Sequence, residues 1–449
     1  MPKKHFNKMN ICILGAGWFG CFIGDELIKK GYAVTIYEKE KSIFNNASGN
    51  NQNRLHLGFH YPRSFITRKL SIEGFKKFKK NKIVKNLFKK LLKNQPSFLE
   101  TLKPNYKYSY SKKTLVKYKK FSNIRIIGMG GSILGSEAIH SFLKKKIKKN
   151  FYFVNDLKNS ENYLKNKKIN LNLIISKSGN TLETIVNSNT LIKNKDHNII
   201  ITEDKKSYLT NLVGQLKSEI FEHKNYIGGR YSVLSEVGML PAELMNLNEN
   251  KFKQFNNIIK NKIFINNLIN NVVATLHFIN NGKFASIILN YDEQSENLFK
   301  WYQQLIAESL GKKSKGLLPV VSSMPKDNHS LMQLYLDGPK KSFYTFFNTL
   351  DNKDVKIDNN NILSSHRYLK NQSIQKIKHS QMLASEKVFN KRKIPFRSFK
   401  VLKRDEKSLG ELFCFFILET ILLGRSLNVN PFDQPSVELI KKETKKILI

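Results

Sequence analysis

Cysteine and acidic residues are what this chain is short of. Three cysteines, Cys12, Cys21 and Cys414, stand in 449 residues, and their spacing matches neither a metal site nor a disulfide framework. A zinc-finger protein and a disulfide-stapled secreted fold are therefore excluded. All three sit among apolar neighbours, which predicts buried thiols in a reducing, cytoplasmic compartment. Asp and Glu number 35 against 77 Lys and Arg, a formal net charge of +42. Such an excess ordinarily points to nucleic acid or an anionic membrane. Here the lysines run through every segment beside abundant Asn and Ile, and no basic stripe is interleaved with aromatics. Neither nucleic acid nor membrane is expected as a partner, while an anionic small substrate suits a basic chain. The basic, apolar start has glycines inside its apolar run and no small-residue cleavage site, so it does not read as a secretory signal. The length allows roughly two to three domains with full cores.

What is present begins with a strand, Asn10 to Leu14, running into Gly15-Ala16-Gly17-Trp18-Phe19-Gly20. An amphipathic helix to about Lys30 follows, then a strand Val34–Tyr37 and Glu38, 18 residues after Gly20. This is the order of a dinucleotide-binding βαβ unit. Glycines let backbone N–H groups approach a pyrophosphate at the helix start, and the acid accepts from ribose hydroxyls. Residues 47–64, ASGNNQNRLHLGFHYPRS, continue the unit in a way that resembles FAD-dependent oxidoreductases of the amino-acid-oxidase or sugar-mutase type. The resemblance implies that Gly15, Gly17, Gly20 and Glu38 contact the ADP half of FAD. The pattern stops near residue 75, too early to enclose an isoalloxazine, so a truncated unit without flavin chemistry is expected.

From Lys76 to Lys93 there are nine lysines and no acid. Phe75, Phe78, Ile83, Leu87, Phe88 and Leu91 recur at helical spacing, which predicts a surface helix whose apolar stripe packs on the next domain.

A new α/β pattern starts with strand Ile124–Ile127, entering Gly128-Met129-Gly130-Gly131-Ser132, with a helix from Ser136 to Lys146. Strands Phe151–Val154, Leu171–Ile175 and Asn198–Thr202 predict a parallel sheet. Ser176-Lys177-Ser178-Gly179-Asn180-Thr181 follows the third of these. Hydroxyls around a glycine where strand meets helix form a phosphate cradle; a hydroxyl-rich helix cap has the same composition. Gly228-Gly229-Arg230-Tyr231-Ser232 comes next, as a loop. An arginine behind two glycines can reach an anion past bare backbone, or can simply mark a turn.

The stretch Trp301–Pro339 carries the acid–base candidates. Gln304 and Glu308 lie four apart and share one helix face, with Trp301, Leu305 and Leu310 on the other. Lys312 to Gly316 closes the helix, Leu317–Val321 is a short buried strand, and a polar loop carries Asp327 and His329. Taken alone, a helical Glu is usually solvated and a single His usually structural; together they are what proton transfer on a small substrate needs.

Gly128–Ser132, Ser176–Thr184, Gly229–Ser235, Gln304–Glu308, His329 with its downstream QLYLDGP, and Asn430-Pro431-Phe432-Asp433-Gln434-Pro435 with Lys441 together resemble the glucose-6-phosphate isomerase family, over about residues 88–449. The resemblance implies an α/β fold of two doubly wound sugar-isomerase (SIS) subdomains, 110–250 and 251–449, the latter ending in long helices. A helical linker at 81–109 and the truncated Rossmann-like unit at 1–80 would precede them. Phe284–Leu289, Leu317–Val321, Ser342–Phe347 and Pro395–Val401 read as the strands of the second sheet. The resemblance further implies that Ser176, Lys177, Ser178 and Thr181 hold the sugar phosphate, beside Gly131 and Ser132. Glu308 would move a proton between C1 and C2, Arg230 would stabilise the charge that develops, and Gln304 and Gln434 would position the substrate. His329, donated by the neighbouring subunit of a homodimer, and Lys441 would handle ring opening, with no cofactor or metal. The chain departs from the family at Asn180 for threonine, and at Ser436 and Ile440 for glycine; the last two bear on the aim of Lys441. Three other readings stay open: an FAD-dependent oxidoreductase fused to a degenerate isomerase domain, a basic nucleic-acid-binding protein, and a related sugar-phosphate isomerase or regulatory sugar-binding domain.

Overall fold

The computed structural model describes residues 10–43, 65–157, 171–193, 196–350 and 355–449. The FAD-like stretch 47–64 lies outside them. The chain divides into two compact units, Met1–Lys79 and Lys80–Ile449.

In the first unit β1 (Asn10–Leu14) pairs in parallel with β2 (Ala33–Tyr37), and the helix Trp18–Lys29 connects them. Both strands alternate exposed and half-buried residues. A two-stranded ribbon with one helix has too few layers to cover both faces. That corrects the expectation for the thiols: Cys12 is exposed and Cys21 half-buried, and of the three only Cys414 is buried. The basic segment is helical over Phe65–Lys93, longer than the sequence predicts. Phe88 and Leu91 are buried, as a packed stripe requires, but Ile83 is largely exposed.

The second unit holds two parallel sheets. The first has the order β4-β3-β5-β6-β7, from β3 (Asn123–Gly128), β4 (Asn150–Val154), β5 (Leu171–Ile175), β6 (His197–Thr202) and β7 (Glu219–Glu222). The second has the order β11-β10-β8-β9, from β8 (Ala285–Asn290), β9 (Leu318–Ser323), β10 (Ser342–Thr349) and β11 (Phe396–Val401). β5 and β8 are buried at every residue, as strands sandwiched between helices must be. The helix read as Ser136–Lys146 spans Leu134–Phe142 and tightens into a 3-10 turn at Lys144–Lys146. It packs against the helix Glu296–Leu310, whose Trp301, Leu305 and Leu310 are buried. The helix Glu406–Ser426 is buried along most of its length and closes the core. Residues 81–109, expected as a linker, contribute Val84, Phe88, Phe98, Leu99 and Leu102 to that same core.

Candidate functional site

Each sheet reverses its winding direction beside its first strand. In the first sheet that point lies between β3 and β5, where β4 has gone to one side and β5 to the other. Open α/β sheets bind ligands there, at the carboxyl ends of the strands. A cleft of about 290 Å³ occupies this place.

Two loops form its walls. After β3 the chain turns through Gly130, at φ +52°, and passes so close to Gly229 that a Cβ on Gly131 would lie 2.2 Å from the Gly229 carbonyl carbon. Only glycine permits that approach. After β5 the hydroxyl loop turns through Gly179, at φ +67°. Thr181 begins the helix Leu182–Leu191, whose N-terminus faces the loop with its free N–H groups. Gly131, Ser132, Lys177, Ser178 and Thr181 all line the cleft. Ser176 does not: it is buried, and its hydroxyl shares a 2.8 Å hydrogen bond with the Thr181 hydroxyl. It braces the loop from behind. Lys177 donates to the Asn225 carbonyl at 2.8 Å and lies 3.5 Å from Glu203.

The floor is a charged hydrogen-bond network. Arg230 is the second residue of a short 3-10 helix, Gly229–Leu234, where the sequence suggested a loop, and it is 2% exposed. Its five N–H donors have five acceptors: Nε gives to Ser309 Oγ at 2.9 Å, Nη1 to Glu308 Oε2 at 3.0 Å and to Gln434 Oε1, and Nη2 to the carbonyls of Pro431 and Asp433, both at 2.9 Å. A buried guanidinium satisfied in this way is fixed in place. Glu308 is also held by Gln304, whose Nε2 donates to Oε1 at 2.8 Å. The two residues stack one turn apart, as their spacing predicts. Gln304 Oε1 is buried without a partner, an acceptor left over for a ligand hydroxyl.

The C-terminal loop is tied to this floor by Lys312, which reaches Asp433 at 3.0 Å and the Ser309 carbonyl at 3.1 Å. Burial holds the Lys312 ammonium below its ordinary pKa. Lys441, on the helix Val437–Leu448, lines the cleft and pairs with Glu438 at 2.7 Å. His329 is not brought in: it sits exposed on the turn Lys326–His329 and lines no part of the cleft. Glu203, Lys205 and Glu438 do line it and carried no sequence signal beyond lying just after β6 or beside Lys441.

The first unit offers a different kind of turn. Gly15 has φ +102°, and a Cβ on Gly20 would sit 1.9 Å from the Gly15 carbonyl oxygen. Gly17 caps the helix Trp18–Lys29. Glu38 accepts from the Ala16 N–H at 2.6 Å and the Glu40 N–H at 3.1 Å, and those backbone bonds lower its pKa. Both oxygens of the carboxylate expected to meet a ribose are thus engaged by backbone N–H groups of the unit itself. Nothing among the described residues of the unit could enclose a flavin ring. Among the described residues there is also no cluster of side chains suited to a metal ion, and no helix long and apolar enough to cross a membrane.

Residues 112–449 match the family described as phosphoglucose isomerase, and residues 10–91 match the FAD dependent oxidoreductase family, further than the point near 75 where the sequence pattern fades. A glucose-6-phosphate isomerase of Methanocaldococcus jannaschii is 32% identical over 410 residues, covering 86% of this chain and 98% of the relative. That share is too large to fit after residue 88, so the isomerase likeness reaches upstream into the Phe65–Lys93 helix. The Mycoplasmopsis pulmonis glucose-6-phosphate isomerase is 32% identical over 72% of this chain and 82% of its own length. Among solved structures, a hypothetical protein of Thermus thermophilus superposes with a TM-score of 0.72 at 21% identity, covering 83% of this chain and 96% of that one. A Chlamydia trachomatis glucose-6-phosphate isomerase gives 0.65 at 17%, covering 86% of each chain. These two share the fold.

Proposed function

The chain belongs to the phosphoglucose isomerase family, and from that premise we propose that it interconverts glucose 6-phosphate and fructose 6-phosphate, the aldose–ketose step shared by glycolysis and gluconeogenesis. The observation that carries the reading is the Glu308 carboxylate, held between Gln304 and Arg230 in the cleft that the hydroxyl loop also lines.

The substrate phosphate takes Ser178, Thr181, Lys177 and the helix N-terminus behind them, with backbone from Gly131 and Ser132; Ser176 acts through Thr181. With the phosphate anchored there, the carbonyl end of the opened sugar lies toward Glu308. Glu308 removes the proton from one carbon and returns it to its neighbour through a cis-enediolate. The enediolate oxygen gains negative charge, and Arg230 is the cation next to it. Its Nη1 exchanges the Gln434 amide for that oxygen, so stabilisation grows as the charge does. Gln434 and the free Gln304 Oε1 then orient the sugar hydroxyls. Proton transfer between adjacent carbons draws on the chain's own carboxylate and calls for no cofactor.

Ring opening needs a proton moved from the anomeric hydroxyl to the ring oxygen. Lys441 at the cleft mouth and His329 are assigned to it, with His329 supplied by a second copy of the chain because its own turn lies off the cleft. The working form is accordingly a homodimer in the cytoplasm. The short oxidoreductase match favours no second reading.

The test is conversion of fructose 6-phosphate by the purified chain, coupled to glucose-6-phosphate dehydrogenase. Glu308→Gln keeps the side chain's size and one acceptor oxygen for Arg230 but removes the base, so kcat should fall by about 10³-fold with the fold intact. Equal activity in the two proteins would overturn the assignment.

A further inference from the structure

The hydroxyl loop does not stand alone in the cleft wall. The segment after β6 is stitched to it by hydrogen bonds. The Glu203 N–H gives to the Lys177 carbonyl at 3.1 Å, the Leu209 N–H to the Gly179 carbonyl at 3.1 Å, and the Tyr208 N–H to Asn180 Oδ1 at 2.9 Å. At the middle of this contact a Cβ on Gly179 would lie 2.1 Å from Ser207 Oγ. Ser207 in turn caps the helix Tyr208–Gln215 through a reciprocal capping box with Thr210. The Lys205 N–H gives to the Glu203 carbonyl at 2.8 Å. Lys205 therefore stands on backbone fixed against the loop, and it lines the cleft together with Lys177, Ser178 and Thr181.

Glu203 sits between the two lysines. It is buried, one carboxylate oxygen meets the Lys205 ammonium, and the other lies 3.5 Å from Lys177. Alone, a carboxylate beside a phosphate cradle would repel the ligand. Bridging two ammonium groups removes that objection, because the trio keeps one net positive charge. His223, which feels the charges of Lys177 and Glu203, is pushed by burial down to about 4 and adds no charge at neutral pH. An ammonium group has three donors. The Lys205 side chain is half-exposed, so Glu203 can hold it while another N–H turns to an anion in the cleft.

We propose that Lys205 is a second cation for the substrate phosphate, and that Glu203 is the positioning residue that holds it beside Lys177. The inference rests on the reading of the cleft as a sugar-phosphate site and adds a carboxylate-bridged lysine pair to it. Each ammonium keeps Glu203 as counter-ion and gives a charge-assisted hydrogen bond to a phosphate oxygen. The sugar end is untouched by this pair.

The test is equilibrium dialysis of the full chain against sorbitol 6-phosphate, which has no carbonyl to isomerise, with inorganic phosphate as competitor. Lys205→Ala should weaken both anions about 10-fold, and Lys205→Arg should restore most of the loss. In a Glu203→Gln background Lys205→Ala should cost less than in the parent, since a lysine no longer held contributes less. In the coupled assay the loss should fall on KM, with kcat within about twofold of the parent. Unchanged binding in Lys205→Ala overturns the proposal, as does weaker sorbitol 6-phosphate binding with unweakened competition by phosphate. An equal or larger cost in the Glu203→Gln background overturns the role of Glu203. A parent that binds sorbitol 6-phosphate through Lys205 but leaves fructose 6-phosphate unconverted would sink the isomerase reading and uphold this one; a parent that binds neither anion overturns it.

Discussion

Two strand–glycine–helix junctions in this molecule look alike as sequence and differ as structure. In the first unit β1 enters Gly15 at φ +102°; in the second β3 enters Gly130 at φ +52°. Both turns contain a glycine that a methyl group would jam against backbone, Gly20 and Gly131. Yet Leu14, the last residue of β1, is 83% exposed, while Ile124, Ile126 and Ile127 of β3 are fully buried. The difference is one of layers. β1 has one neighbouring strand, whereas β3 lies between β4 and β5 with the helix Leu182–Leu191 packed against it. A glycine turn fixes the path of a few peptides; the free energy that holds it comes from the apolar area covered around it.

The comparison breaks most sharply by truncation. Removing residues 1–64 should leave the second unit folded and active, because its core is built from its own residues. Removing residues 1–93 also strips Val84, Phe88 and Leu91, none more than 4% exposed. At about 1.5–3 kcal/mol for each buried side chain, that loss rivals a typical domain's whole stability of about 5–15 kcal/mol. Thermal denaturation and the coupled assay on both proteins decide it. Unfolding of the shorter truncation would mean the first unit is structurally required.

Alanine at the matched glycines sharpens the contrast. Gly131→Ala places Cβ 2.2 Å from the Gly229 carbonyl carbon and must push the loop after β3 away from the turn that carries Arg230. The displaced loop and Arg230 should cost about 10²-fold or more in kcat/KM. Gly20→Ala meets an equally hard contact, 1.9 Å from the Gly15 oxygen, but should leave isomerisation unchanged. A loss of activity from Gly20→Ala would tie the first unit to the reaction.

Much of the second unit was legible because its strands are short apolar runs ending in glycine or hydroxyl loops. β5 falls on Leu171–Ile175 as predicted, and Gln304 and Glu308 meet because four residues make about one helical turn. Other parts were hidden for physical reasons. β7, Glu-Ile-Phe-Glu, is too short for its alternation to stand out. The helix Lys262–Asn280 is rich in Asn and β-branched residues of low helix propensity; its Asn261 cap and buried Leu268, Val272 and Leu276 make it a helix. Glu203 and Lys205 are an ordinary charge run in so basic a chain, and only their place after β6 brings them to the cleft. The thiols were misjudged because apolar neighbours in sequence imply burial only where a second layer exists to bury them.

Acid should separate the two units by a smaller margin. Burial pushes both His140 and His223 down to about 4, helped by the Lys144 charge at His140 and opposed at His223 by a hydrogen bond to the Lys224 carbonyl. The unfolded chain takes up those protons near pH 6.5, so unfolding gains protons below it. The stability linked to these neutral histidines is therefore complete above about pH 6.5 and drains away as the pH falls toward 4, by at most about 3 kcal/mol for each. No histidine stands among the described residues of the first unit. The chain's two tryptophans fall one to each unit, Trp18 half-exposed and Trp301 buried. In a Trp18→Phe protein the Trp301 emission should report a denaturant midpoint that drops between pH 6.5 and 4.5. His140→Phe, placed against Phe151 and Phe153, should remove part of that drop. An unchanged slope in His140→Phe would mean that acid acts on the second unit through its carboxylates instead.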